Sequence, residues 1–316
     1  MAVKPLGPWN DSTRTQLGKF QLPVLADPHS HIRLIRMQAG GKDKPIVCEL
    51  TSTSLKDAPP YAAISNTWGD PTPVTDISLN GQLLKVHHNY AICIDQANSD
   101  EKSAQVQLMG DIFSGAGRVV VSLGSHGDES QFLLHIAREL DASAWCMKLE
   151  MASTKRKALR AEWMDHMGLS EPDSLQRLAY AWHHFCDRPY WHRVWIVQEF
   201  ILAQPLAVTF ICDTDSIDLY LILQLYDDIM IDMMSSDEIN ATPFTKILKI
   251  TDRVDMGFPP LADALRFCND GGCSDVRDRI YGFLRLCYWP DDIPALSPDY
   301  TRSTFQVALE SVKYLE

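Results

Sequence analysis

Ser99-Asp-Glu-Lys-Ser-Ala-Gln-Val-Gln-Leu-Met-Gly-Asp-Ile-Phe113, followed by Arg118-Val-Val-Val-Ser-Leu-Gly124, is the stretch that decides the fold class. Val106, Met109 and Phe113 recur at helical spacing behind a polar Ser99-Asp100-Glu101 opening, so the first half predicts a helix. The second half is a continuous β-branched run bounded by glycine, which is the pattern of a strand covered on both faces. Tyr61-Ala-Ala-Ile-Ser65 upstream reads as another small, apolar strand. Strand, helix, strand with short joins is βαβ logic, and it predicts an α/β fold with a mainly parallel sheet flanked by helices.

Working outward, residues 1–30 are rich in Pro, Ser and Asp and read as a loose leader. Ile32–Met37 and Ile46–Leu50 read as strands around Gly40-Gly41. Ile77 and Leu79 alternate into Asn80-Gly81 and Leu83–Val86, and Asn-Gly between alternating strands is the strongest short hairpin signal. N-terminal β-hairpins are therefore expected ahead of the βαβ core.

Downstream, Phe132, Leu133, Ile136 and Leu140 mark an amphipathic helix, and 150–178 is charged and helix-prone. Trp191 to Ala203 can be helical, Leu206 to Ile211 reads as a strand, and Asp275 to Leu286 and Ser303 to Leu315 read as amphipathic helices. The expected organisation is a domain over 31–212, with its core signature at 61–200, and a mostly helical C-terminal part over 213–316.

Composition excludes several classes. The chain has 316 residues, 46% hydrophobic and 22% charged, which is ordinary for a globular protein and speaks against disorder. A net charge of -12 makes the average surface repel nucleic acid and anionic lipid, so neither is an expected partner. No stretch reaches the roughly 18 uncharged apolar residues of a membrane span. Eight cysteines form no Cys-x-x-Cys pair and mostly sit in apolar runs, as reduced cysteines of a cytoplasmic protein do.

Standard chemical motifs fail one by one. There is no glycine loop for dinucleotides or nucleoside triphosphates. Gly124-Ser125-His126-Gly127 is one residue short of a nucleophile elbow. His183, His184, Cys186 and His192 have no standard zinc spacing, and the acidic residues over 213–238 lack a calcium-loop pattern and read as a solvated helix face. No metal and no resident cofactor is expected.

Several segments, taken together and in order, resemble the fungal heterokaryon-incompatibility (HET) family. Tyr61-Ala-Ala-Ile-Ser-Asn-Thr-Trp-Gly-Asp70 is similar to its opening signature, Tyr-x-Ala-Leu-Ser-Tyr-x-Trp-Gly, with Asn66 replacing the tyrosine. Ala91–Gln96, Glu101, Gln105-Val106 and Met109 resemble a second block. Arg188-Pro-Tyr-Trp-His-Arg-Val-Trp-Ile-Val-Gln-Glu199 resembles a third. Asp275–Leu284 and Ser297–Tyr300 resemble segments found beyond the domain. One departure stands out: between Asn89 and Ala91 the family normally carries a helix and the first half of a strand. Without them a sheet face should lie uncovered, and Ile92 and Ile94 have too few neighbours for a full strand.

The resemblance implies a distantly TIR-like, flavodoxin-like core, and a role in non-self recognition and programmed cell death. Some TIR enzymes cleave NAD, so NAD is an expected substrate, and an NAD glycohydrolase activity follows if the core is catalytic. Trp195 and Glu199 lie four residues apart, as in the TIR glutamate motif, which nominates Glu199 as the catalytic carboxylate. Trp68 would stack on a planar ring, and Ser65, Gly69, Asp70 and Trp195 would shape the pocket where the blocks around Trp68, Cys93 and Glu199 converge. Plainer readings compete: Glu199 pairs with Arg188 or Arg193, the tryptophans are core, Glu101 caps a helix, and Asp278 pairs with Arg279. Two further alternatives are a self-associating module, alone or with another incompatibility protein, that uses the apolar helix 219–234, and a small-molecule biosynthetic enzyme.

Overall fold

The computed structural model describes residues 20–38, 45–67, 74–87, 92–141, 153–204, 207–230, 242–255, 257–267, 271–289 and 294–314. Trp68, Gly69 and Asp70, the Gly40-Gly41 turn, the Asn89–Ala91 junction and most of the leader lie outside these residues.

The chain is α/β, but with two mixed four-stranded sheets rather than one mainly parallel sheet. The first runs β1-β2-β4-β5, built from β1 (His31–Gln38), β2 (Ile46–Ser54), β4 (Val74–Leu79) and β5 (Gln82–His87). Two antiparallel hairpins are joined by a parallel β2–β4 pairing. Asn80 and Gly81 both adopt positive φ, at 49° and 77°, as the tight turn between β4 and β5 requires. The Asn80 carboxamide also clasps the backbone N–H and C=O of Leu50, at 2.8 and 3.2 Å, which holds the second hairpin against the first.

The second sheet runs β3-β6-β7-β8. β3 (Ala62–Asn66), β6 (Arg118–Ser122) and β7 (Val208–Cys212) are parallel, and the antiparallel β8 (Asp215–Asp218) closes the edge. The crossover from β3 to β6 is α1 (Ser99–Gly115). Ala63, Val119, Val121, Val208 and Phe210 face the principal core, which is filled by α2 (Ser130–Asp141), α4 (Pro172–Cys186) and α5 (Ile196–Ile201). That core extends through α6 (Leu219–Leu225) to α7 (Pro243–Asp255), so β8 and the helices after it share one interior with the parallel strands.

Several local expectations are corrected. The acidic residues at 213–218 form a turn and β8 rather than a helix face. Leu219, Leu221, Ile222, Leu225, Ile229 and Met230 are buried, so the described part of 219–234 offers no association surface. Residues 191–203 form a short 3-10 turn (Pro189–His192), a break, and then α5, because Arg193 leaves the helical path to bridge Gly272. Residues 275–286 hold only a four-residue helix, α9 (Asp278–Tyr281), and a 3-10 turn.

Glu101 is not the cap of α1. Asn98 is, accepting from the amides of Asp100 and Glu101, and this frees the Glu101 carboxylate to bind Arg33 of β1. The Arg33 guanidinium meets Glu101 at 2.5 and 2.9 Å and also reaches the carbonyls of Pro23 and Cys93. Burial pushes the Glu101 carboxyl up, but the Arg33 hydrogen bonds, the Asp95 amide and the Arg33 charge outweigh it and hold it below its ordinary value. Gln105, one turn further along α1, donates to the carbonyls of Pro28 and His31. The two polar side chains of the second block thus dock the N-terminal sheet onto the crossover helix.

Residues 92–95 carry no strand, and among the described residues the only neighbour of β3 is β6. Ile64 on its outer face is 64% exposed. Glu101→Gln is expected to cost about 3–5 kcal/mol, the usual cost of breaking a buried pair from one side. Because the folded-state value lies below 4.5, the wild-type advantage is complete above that pH and drains away as pH falls through it. Urea titrations of both proteins at neutral and acid pH test this; equal midpoints at neutral pH would show that the pair does not join the sheets.

Candidate functional site

Alternation along β3 turns Ser65 toward the core at the carboxyl end of the strand, next to Asn66. The third block comes to meet it. Pro189 starts the 3-10 turn that buries Tyr190, Arg193 follows, and α5 presents Glu199 from its first turn. Ser65 is 1% exposed and donates its hydroxyl proton to Glu199 Oε2. Its one proton is then spent, so Tyr190, whose hydroxyl lies 2.7 Å from Ser65 Oγ, is the donor in the second bond. The result is a buried relay, Tyr190 to Ser65 to Glu199. Arg193 donates to the Asn66 carbonyl and places its charge beside Glu199.

Glu199 is 6% exposed. Burial raises its carboxyl above the ordinary value, against the opposing pull of the Arg193 charge and the Ser65 hydrogen bond. Burial, with the Glu199 charge second, pushes the Tyr190 phenol far up, and burial lowers Arg193 against the attraction of Glu199. A carboxyl of raised proton affinity in a dry setting suits proton transfer or stabilisation of a developing cation.

Trp195 and Glu199 stand one helical turn apart, joined by the Glu199 amide to the Trp195 carbonyl at 3.2 Å. The indole, however, binds Asp278 rather than facing the relay. Asp278 also accepts from Tyr300 Oη at 2.5 Å, and the ammonium of Lys102 sits 3.8 Å above the Tyr300 ring. Burial raises the Asp278 carboxyl against these hydrogen bonds and the Lys102 charge. Asp278 is therefore no helix-start partner of Arg279. Arg188 is likewise no partner of Glu199, since it donates to the carbonyls of Leu123 and Ser125.

Of the proposed site residues, Ser65 and Glu199 touch, Trp195 lies on the same short helix with its ring turned away, and Trp68, Gly69 and Asp70 are outside the described residues. The Cys93 block goes elsewhere: Ile92 and Cys93 pack on Cys48, Leu50 and Ile77 of the first sheet. Tyr190 lies within the third block, but nothing in its spacing shows what its hydroxyl meets. Asp278 and Tyr300 belong to the C-terminal segments, and only folding brings their 22-residue separation to hydrogen-bond distance.

The profile of the Heterokaryon incompatibility protein (HET) family matches residues 90–199. Over that stretch the chain resembles the HET domain. Heterokaryon incompatibility protein 6, OR allele, of Neurospora crassa is 24% identical over 355 aligned positions, covering 91% of this chain and 52% of that protein. The chain thus spans about half the length of the curated relative it matches. No solved structure is significantly similar to this one. The HET match starts after β3 and ends on Glu199, so Ser65 reaches the site from outside the matched span.

Ser65→Ala leaves the buried Glu199 carboxyl without its hydroxyl donor and is expected to cost about 1–3 kcal/mol. The folded-state value of Glu199 is already above 4.5, so its burial lowers stability progressively as pH rises beyond 4.5. Losing the serine raises that value further, and the gap to wild type widens with rising pH. Unfolding midpoints across a pH series measure it, and Glu199→Gln should flatten the trend.

Proposed function

We propose that this chain acts in fungal non-self recognition and programmed cell death, and that its HET domain cleaves NAD at the nicotinamide–ribose bond with Glu199 as the catalytic carboxylate. The observation that carries the reading is the closed relay of Tyr190, Ser65 and Glu199 at the carboxyl edge of a parallel strand, where α/β proteins place their ligands. The incompatibility role is supported by the family match and by the Neurospora crassa relative. Among the described cysteines six are free, in keeping with a reducing compartment such as the cytoplasm.

In this reading the bond between the ribose anomeric carbon and the nicotinamide nitrogen breaks with its electron pair going to nitrogen. The ribosyl cation that develops is stabilised by the carboxylate, whose effect is large in a site shielded from water. Glu199 then takes a proton from the water that attacks the anomeric carbon, giving nicotinamide and ADP-ribose. Ser65 fixes the carboxylate, Trp68 stacks on the nicotinamide ring, and Gly69, Asp70 and Trp195 shape the cleft. Since Glu199 is closed off from solvent, turnover needs an opening step, and the closed chain is the resting form.

Chromatography of NAD incubated with the full chain should reveal nicotinamide, with Glu199→Gln lowering its release by about 100-fold or more. Equal release from both proteins, or none from wild type, overturns the catalytic assignment.

A second reading, association with another copy, is favoured by α10 (Thr304–Ser311) and the turn after it. Phe305, Leu309 and Val312 fall on one face at spacings of four and three, and Phe305 is 73% exposed. Light scattering over a concentration series should show assembly that Leu309→Lys removes; a constant monomer mass for wild type excludes it.

A further inference from the structure

The other end of the same sheet edge holds a second constellation that the reading above leaves unused. Where β6 leaves the sheet, residues 124–129 turn sharply into α2, with Gly124, Asp128 and Glu129 all at positive φ. Two consecutive non-glycine residues in that conformation are strained, and such strain persists only where the surroundings fix it. Here Arg177 grips Glu129 at 2.6 Å, Tyr180 reaches Asp128, and Arg188 holds the carbonyls of Leu123 and Ser125.

Within this loop His126 Nδ1 lies 3.0 Å from Ser130 Oγ, and His126 Nε2 lies 3.0 Å from Asp215 Oδ2 on β8. With the ring proton on Nε2, Nδ1 accepts from the serine hydroxyl. The approach to Asp215 is off the hydrogen-bond line, and Arg138 shares the same carboxylate at 3.2 Å. Cys212, at the end of β7, points its thiol at Ser125 O and Ser130 Oγ. A hydroxyl, a base within hydrogen-bond reach of it and a carboxylate beside the base are the groups that nucleophilic catalysis draws on, whichever ring nitrogen takes each side.

We propose that Ser130, His126 and Asp215 form a second catalytic site, a serine esterase centre for short, uncharged acyl esters. Ser130 Oγ attacks the ester carbonyl carbon and its proton passes to His126 Nδ1. The bond to the alcohol oxygen breaks, and that oxygen leaves with the proton from His126. Water then attacks the acyl-serine, its proton returns through His126 to Ser130 Oγ, and the carboxylic acid departs. First-turn amides of α2, at Gln131 and Phe132, supply donors for the oxyanion. Ser130 is 3% exposed, which limits the acyl group to a small, uncharged one, since a charged group would have to be desolvated to reach it.

Diisopropyl fluorophosphate, a small neutral reagent for such serines, tests the assignment on the full chain. Expected results are one adduct mapped to the Ser130 peptide by mass spectrometry and slow hydrolysis of p-nitrophenyl acetate. His126→Gln, with its fold checked by circular dichroism, should label at least about 100-fold more slowly, as loss of a general base predicts. Ser130→Ala should not label at all. A folded wild type that stays unmodified, an adduct on another residue, or a His126→Gln protein that labels at the wild-type rate overturns the proposal. None of these outcomes depends on NAD cleavage.

Discussion

The ion pair between Arg33 and Glu101 is the contact on which the two-sheet arrangement turns. Desolvating two charges is expensive, and the expense is offset only when the geometry is good and the remaining donors are used. Both conditions hold: the pairing is bidentate, and the guanidinium also satisfies the carbonyls of Pro23 and Cys93. Glu101 sits on the crossover helix between β3 and β6, so the pair ties β1 to the connection between the parallel strands. The N-terminal hairpins are therefore coupled to the sheet edge where Ser65 lies, not appended to it.

α5 is shared in the same way. Ile196 and Phe200 pack into the principal core, while Val194 and Val197 pack against Phe283, Leu286 and Cys287 of the C-terminal segment. Gln198 donates to the Tyr281 carbonyl, and Gly272 pairs with the backbone of His192 and Val194. Gly282 has no room for a side chain because Val194 presses against it. The helix bearing Glu199 is thus clamped from both sides, and residues well beyond the matched HET span build half of its surroundings. A carboxyl held so firmly has little conformational freedom left to lose.

Local chemistry made much of this legible in the chain alone. Asn80-Gly81 declared its turn because two positive φ values are cheap only for such residues. The run at 118–123 and the periodic helix before it gave the βαβ unit. Ser65 and Glu199 were brought together only by the family resemblance, and the hydrogen bond between them is a product of the fold. The rest depended on distance in sequence. Arg33 and Glu101 are 68 residues apart, and a glutamate three places into a helix looks like a cap until its real partner is seen. β8 was hidden because its four residues lie in an acidic stretch with no alternating apolar signal. The helix expected over 275–286 shrank to a single turn because Asp278, Tyr281 and Gly282 are all committed to partners elsewhere. Tertiary contacts overrode periodicity there.

The exposed sheet face and the candidate site meet on one strand. Successive residues of β3 point to opposite faces, so Ile64 looks outward while Ser65 looks inward to Glu199. The open face is that of Ile64, with Val120 and Ile211 half-buried beside it. A parallel sheet bare on one side gives up apolar burial that a covering helix would supply. That loss falls on stability. The inner face keeps Ala63, Val119, Val121 and Phe210 packed, and with them the placement of the relay. The exposed face of Ile64 and the Ser65–Glu199 contact therefore lie on opposite sides of the same sheet, and the bareness of the one leaves the geometry of the other in place.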